Sequence, residues 1–182
     1  MEYHSNQVDK NLLIYLLGVC RAFNANGVQY LIVGGVAVAF HGYFRLSREE
    51  DGTVAEKYDI DIWYNPTYDN YFRLLNALET LEFDVADFRS ETSPDPEKSY
   101  FKLDLPEYKL DLLPALPGFK RFRAACSNKV VMKKEGVDIP YISFDDLILN
   151  KTSLGRARDL EDIAALYSVK MEGKDPGAGE IK

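Results

Sequence analysis

Very little in this chain could cross-link it. Only two cysteines, Cys20 and Cys126, occur in 182 residues. So few argue against a disulfide framework and for a reducing compartment. Long apolar runs are also missing: none approaches the roughly 20 residues that a helix needs to span a bilayer. The opening residues, Met1-Glu2-Tyr3-His4-Ser5, have no basic start and no signal-peptide pattern. These absences predict a cytoplasmic protein with no membrane partner. Basic charge is in deficit as well: 22 Lys and Arg stand against 29 Asp and Glu, a net charge of −7. That balance argues against broad, sequence-independent binding to nucleic acid. No internal repeat and no low-complexity tract is present.

What remains is an ordinary globular composition, 46% hydrophobic and 28% charged, enough to bury a core. The pattern predicts a core over 1–142 with an N-terminal helix, a helical extension over 143–170 and a loose tail over 171–182. In the first helix, expected over 8–24, Leu12, Leu13, Leu16, Leu17 and Cys20 recur at helical spacing, and Gly27 closes it. Another helix should begin near Pro66 and bury Tyr68, Tyr71, Phe72, Leu75 and Leu78. Residues 83–88 read as a strand. Residues 100–105 and 108–113 read as an antiparallel pair, and 129–132 with 137–142 as a hairpin. Ser143 opens a helix, and Asp159 is expected to cap a last one carrying Leu160, Ile163, Ala164, Leu166 and Tyr167. The fold class expected is α+β (α/β), a mixed sheet flanked by helices with a small helical C-terminal extension.

The chain is organised around 28–64. A short β-branched run at 30–33 reads as a buried strand and meets Gly34-Gly35 at once. Without Cβ atoms, the two glycines allow a sharp turn and close approach to a ligand. Residues 36–40 read as a short helix whose first amides would attract an anion such as phosphate. A polar loop, 42–57, follows, with Arg45 and Arg48 within reach of a phosphate or simply on the surface. The run Tyr58-Asp59-Ile60-Asp61-Ile62-Trp63-Tyr64 then reads as a strand. Alternation puts Asp59 and Asp61 on one face, with Trp63 beside them. Two carboxylates on one face repel unless a cation lies between them. All-oxygen donors suit Mg²⁺, which takes one or two carboxylates plus substrate phosphates. Asp111, flanked by Leu110 and Leu112 in an apolar strand, is costly there unless paired or bound to metal. The basic span holding Lys120, Arg121, Arg123, Lys129, Lys133 and Lys134 is either a solvated face or a contact for a polyanion.

The order Gly34-Gly35, Asp59-Ile60-Asp61, Asp111 resembles the nucleotidyltransferase superfamily built on the DNA polymerase β fold. More narrowly it is similar to the small bacterial branch that includes the AbiEii-type toxins, through 33–42, 59–63, 109–113, 142–151 and 155–162. The resemblance covers roughly 28–168. It implies that Asp59 and Asp61 hold Mg²⁺ and, through it, a nucleoside triphosphate. It also implies that Asp111 binds the catalytic metal and helps deprotonate an acceptor hydroxyl. Gly34 and Gly35 would lie against the phosphates, and Lys151 would reach the triphosphate from the C-terminal helices. Lys151 is otherwise a surface lysine, Arg156 and Arg158 share that ambiguity, and His41 is more readily a core histidine than a catalytic one. The chain departs from the family's pattern in its longer loop before Asp59 and in Gly35, where many members have serine. The acceptor implied is an RNA end, a protein or a small molecule. The competing expectation is a degenerate nucleotide- or partner-binding member of a toxin–antitoxin pair, with an antitoxin-type protein as partner.

Overall fold

The computed structural model describes residues 10–45 and 57–173. The leading helix α1, Lys10–Ala25, is followed by strand β1, Tyr30–Ile32, and helix α2, Gly34–Phe40. Next come β2, Tyr58–Tyr64, α3, Tyr68–Thr80, and α4, Ala86–Ser90. Then follow β3, Phe101–Asp104, β4, Tyr108–Leu113, α5, Phe122–Asn128, β5, Val130–Lys134, and β6, Val137–Tyr141. The described chain ends on α6, Phe144–Leu154, and α7, Ala157–Met171. None of the helices among the described residues is long and apolar enough to cross a membrane. Most of the loop that includes Arg48 lies outside the described residues.

The strands form one six-stranded sheet in the order β3-β4-β2-β1-β6-β5. It is mixed: β2 runs parallel to β4 and antiparallel to β1, and β1 runs parallel to β6. Each face carries its own core. Tyr30, Ile32, Ile60, Ile62, Tyr64, Leu110 and Leu112 point to one side, where α1 and α3 cover them. Leu31, Val33 and Trp63 point to the other, against Phe122 of α5, Leu147 of α6 and Leu166 of α7. The period of two along β2 therefore sends Asp59 and Asp61 to the side of the C-terminal helices.

The structure departs from expectation in several elements. Residues 83–88 are not a strand. Asp84 Oδ1 accepts from the amide of Ala86 at 3.0 Å, and that turn starts α4. Val85 and Phe88, three residues apart, then meet the core together. In α3, Tyr68 and Phe72 are 56% and 42% exposed. The buried face runs instead through Asn70, Tyr71, Leu74, Leu75, Ala77 and Leu78, because Asn70 is drawn in by bonds to Gln29 and Asn65. α5 was not anticipated, as its basic flanks masked a short apolar contact through Phe122 and Ala125. In α7 the apolar stripe is also misplaced. Leu160 and Tyr167 are exposed, whereas Asp159, Asp162 and Leu166 are buried. The cap position of that helix is Arg156; Asp159, three residues on, accepts from its amide at 3.3 Å. Ser143 caps α6 as expected, accepting from Asp146 N.

Candidate active site

Parallel pairing of β2 with β4 sets Asp59 opposite Lys109 and Asp61 directly opposite Asp111. Paired residues share a face, so all three carboxylates stand on the side of the sheet away from α1 and α3. Their mutual influence is direct. Burial, then the charges of Asp111 and Asp59, push the Asp61 carboxyl up to about 6, although Arg158 and Lys151 pull it back. Asp111 Oδ2 accepts a hydrogen bond from the hydroxyl of Tyr100 at 3.2 Å. No local pattern along the chain signals that contact, because the two residues meet only across strands.

Gly34 is built against the same group. The chain turns from β1 into α2 through Gly34 with φ of +62°, a conformation that only glycine adopts without penalty. A Cβ there would lie 2.0 Å from Asp61 Oδ2 and 2.8 Å from its Cγ. The turn is tied to the acid by a bond from Val33 N to Asp61 O at 3.0 Å. Gly35 differs: a Cβ there meets nothing within 4 Å. Gly34→Ala should therefore cost about 1–2 kcal/mol for the left-handed backbone alone, and more for the displaced carboxylate. Gly35→Ser should leave the melting temperature within a degree or two. Thermal unfolding followed by circular dichroism separates the two, and equal losses would show that the glycine pair acts only as a flexible turn.

Mg²⁺ fits this donor set by chemistry, because the set is carboxylate oxygen and nothing softer. Among the described residues, however, no group of three or more His, Cys, Asp or Glu side chains stands ready as it is to hold an ion. Asp59 and Asp61 with substrate phosphates would make a sufficient shell. Ligation by all three carboxylates requires them to converge further.

The cations behind the acids form a second constellation. Lys151 is 3% exposed, which rules out the surface lysine. Its Nζ lies 2.6 Å from Asp162 Oδ2 and 3.3 Å from Asp159 Oδ1. Arg45 meets the same Asp162 through two nitrogens, at 2.6 and 2.9 Å. Arg156 donates to Asp159 from Nε at 2.6 Å and from Nη2 at 3.1 Å. Burial raises the Asp159 carboxyl, but the bonds from Arg156 and the charge of Lys151 outweigh it and hold the group below the usual carboxylate range. Lys151 and Arg45, both expected at a phosphate, are thus engaged by one buried carboxylate, while the charge of Lys151 still reaches Asp61. Sequence reading missed Asp162. Its spacing from Asp159 and Leu166 on one helical face was the available signal.

Trp63 is core: 2% exposed, it packs on Phe119 and Phe122 and hydrogen-bonds Pro114 O at 3.4 Å. His41 is core too, bonded through Nε2 to Ile142 O at 2.9 Å between Tyr141 and Phe144.

No protein-family model matches the chain, and no curated protein sequence matches it. Solved structures do. A candidate nucleotidyltransferase of Thermotoga maritima superposes with a TM-score of 0.56 at 16% identity, over 92% of this chain and 99% of that one. The lincosamide antibiotic adenylyltransferase LnuA, bound to lincomycin, gives 0.54 at 21% identity, over 90% and 99%. The antibiotic-resistance factor ANT(2'')-Ia gives 0.54 at 15% identity, over 92% and 88%. The chain therefore has the nucleotidyltransferase fold, and the likeness is one of architecture.

Proposed function

We propose that this chain moves a nucleotidyl group from a nucleoside triphosphate to an acceptor hydroxyl in a Mg²⁺-dependent reaction. The observation that carries the reading is the pairing of Asp61 with Asp111 across two central strands, with Gly34 packed bare against Asp61. In the transfer, the acceptor oxygen attacks the α-phosphorus. The bond from that phosphorus to its bridging oxygen breaks, and pyrophosphate leaves. Asp59 and Asp61 would hold the cation, joined by Asp111 once the carboxylates converge, Asp111 takes the acceptor's proton, and Gly34 and Gly35 let the phosphates approach the backbone. Bound Mg²⁺ supplies neutralisation of charge on the attacking and leaving oxygens. Lys151 and Arg45 complete the proposed nucleotide contacts when Asp162 shares them with the triphosphate.

A small-molecule acceptor is favoured over RNA. The net charge of −7 disfavours a polyanionic partner, and in the basic span Lys133 pairs with Asp138 at 3.4 Å. Two proteins of the same fold carry names tied to antibiotics, one of them an adenylyltransferase for a lincosamide. Membership of the AbiEii-like branch, and with it an antitoxin-type partner and a cytoplasmic site of action, rests on the sequence motifs. A second reading, nucleotide binding without transfer, is favoured by the lack of a hydroxyl at Gly35.

Each labelled nucleoside triphosphate, supplied with Mg²⁺ and a cell extract separated into RNA, protein and small-molecule fractions, tests the proposal. Transfer of label that a chelator stops is the expected result. A rise in melting temperature with nucleotide but no labelled product in any fraction selects the binding module. No rise and no product with any nucleotide sinks both.

A further inference from the structure

We infer that Tyr100 is the positioning residue for Asp111: its hydroxyl fixes one carboxylate oxygen and leaves the other to the cation and the acceptor. The inference rests on the nucleotidyl-transfer reading and adds a residue to it.

Tyr100 stands one position ahead of β3, the edge strand beside β4. Lys102 of β3 pairs with Asp111 of β4. Tyr100, two residues before Lys102, therefore shares the face of Asp111. The hydroxyl reaches along that face and donates to Asp111 Oδ2 at 3.2 Å. Tyr100 is 42% exposed, so core packing does not account for an aromatic side chain here. Lys102 steadies it, with its ammonium 5.4 Å from the ring centroid. A phenol keeps its proton through the neutral range and so serves as the donor here.

A carboxylate has two oxygens and rotates about one bond. When one oxygen is held from the sheet edge, the other has a defined direction over the face shared with Asp61. Hydrogen-bond partners that orient a metal-ligating side chain are typically worth 10–100-fold in metal affinity or activity.

The test uses the full chain with Mn²⁺ alone as probe, read by electron paramagnetic resonance, beside label transfer in Mg²⁺. Tyr100→Phe should weaken Mn²⁺ binding roughly 10-fold and raise the half-saturating Mg²⁺ concentration for transfer by a similar factor, with the melting temperature unchanged. Tyr68→Phe, at an exposed tyrosine on α3, should behave as wild type, and Asp111→Asn should weaken Mn²⁺ binding further than Tyr100→Phe. Wild-type Mn²⁺ affinity and transfer in Tyr100→Phe, with both lost in Asp111→Asn, would overturn the role of the tyrosine and leave the activity standing. Wild-type behaviour of Asp111→Asn would bring down the nucleotidyl-transfer reading itself.

Discussion

Asp61→Asn should leave the chain more stable than wild type at neutral pH and unable to transfer a nucleotide. The gain follows from linkage. In the metal-free fold the Asp61 carboxyl is raised from 3.8 to about 6 by burial and by its two acidic neighbours. Between those values the folded protein keeps a proton that the unfolded chain releases. Stability therefore falls as pH rises through this window, by up to about 3 kcal/mol at 1.36 kcal/mol for each pH unit. Asparagine removes the ionisation. The variant's melting temperature, measured in a chelator, should stay flat across the window and exceed wild type above it by roughly 5–10 °C. Transfer should drop on the order of 10³-fold, the scale seen when a charge-stabilising group is lost from a catalytic site. Stability given up at a functional site in this way is a familiar trade. Equal pH profiles for the two proteins would show that neither burial nor the charges of Asp111 and Asp59 disfavour the Asp61 carboxylate, and the acid site would lose its physical basis.

Asp162→Ala should have the largest effect on folding. The carboxylate is fully buried and satisfies Lys151 at 2.6 Å and Arg45 at two points. Removing it leaves a buried ammonium with Asp159 at 3.3 Å as its remaining acid partner. Breaking a buried pair on one side costs about 3–5 kcal/mol, because the stranded charge stays out of water. The expected drop in melting temperature is on the order of 10 °C. Adding Lys151→Met should restore part of the loss, since the double variant no longer buries that cation, and a double-mutant cycle measures the coupling. A shift under 2 °C for Asp162→Ala would mean that the cluster is solvated and does not clamp α6 and α7 to the segment after α2.

The site was legible where one side chain's direction depends on a simple period. Alternation along β2 placed Asp59 and Asp61 together, and the lone acid between leucines marked Asp111. Gly34 beside a short helix was readable for the same reason: a residue without Cβ has few uses there. Reading failed where apolar patterning and charge pairing compete. The apolar set of α7 suggested that Leu160 and Tyr167 face inward, yet two acids take that place because Lys151, Arg45 and Arg156 come from three separate segments to meet them. Tyr100 likewise looks like one more strand aromatic until β3 lies along β4.

Residue order alone determined the kinds of groups at the site and the strands that carry them, because strand and helix periods are properties of neighbouring residues. Tertiary structure alone decided which strand lies beside which, hence that Asp61 faces Asp111 and that Lys151 is buried. Those outcomes depend on sheet register and on the pairing of charges far apart in the chain, and no local pattern encodes either.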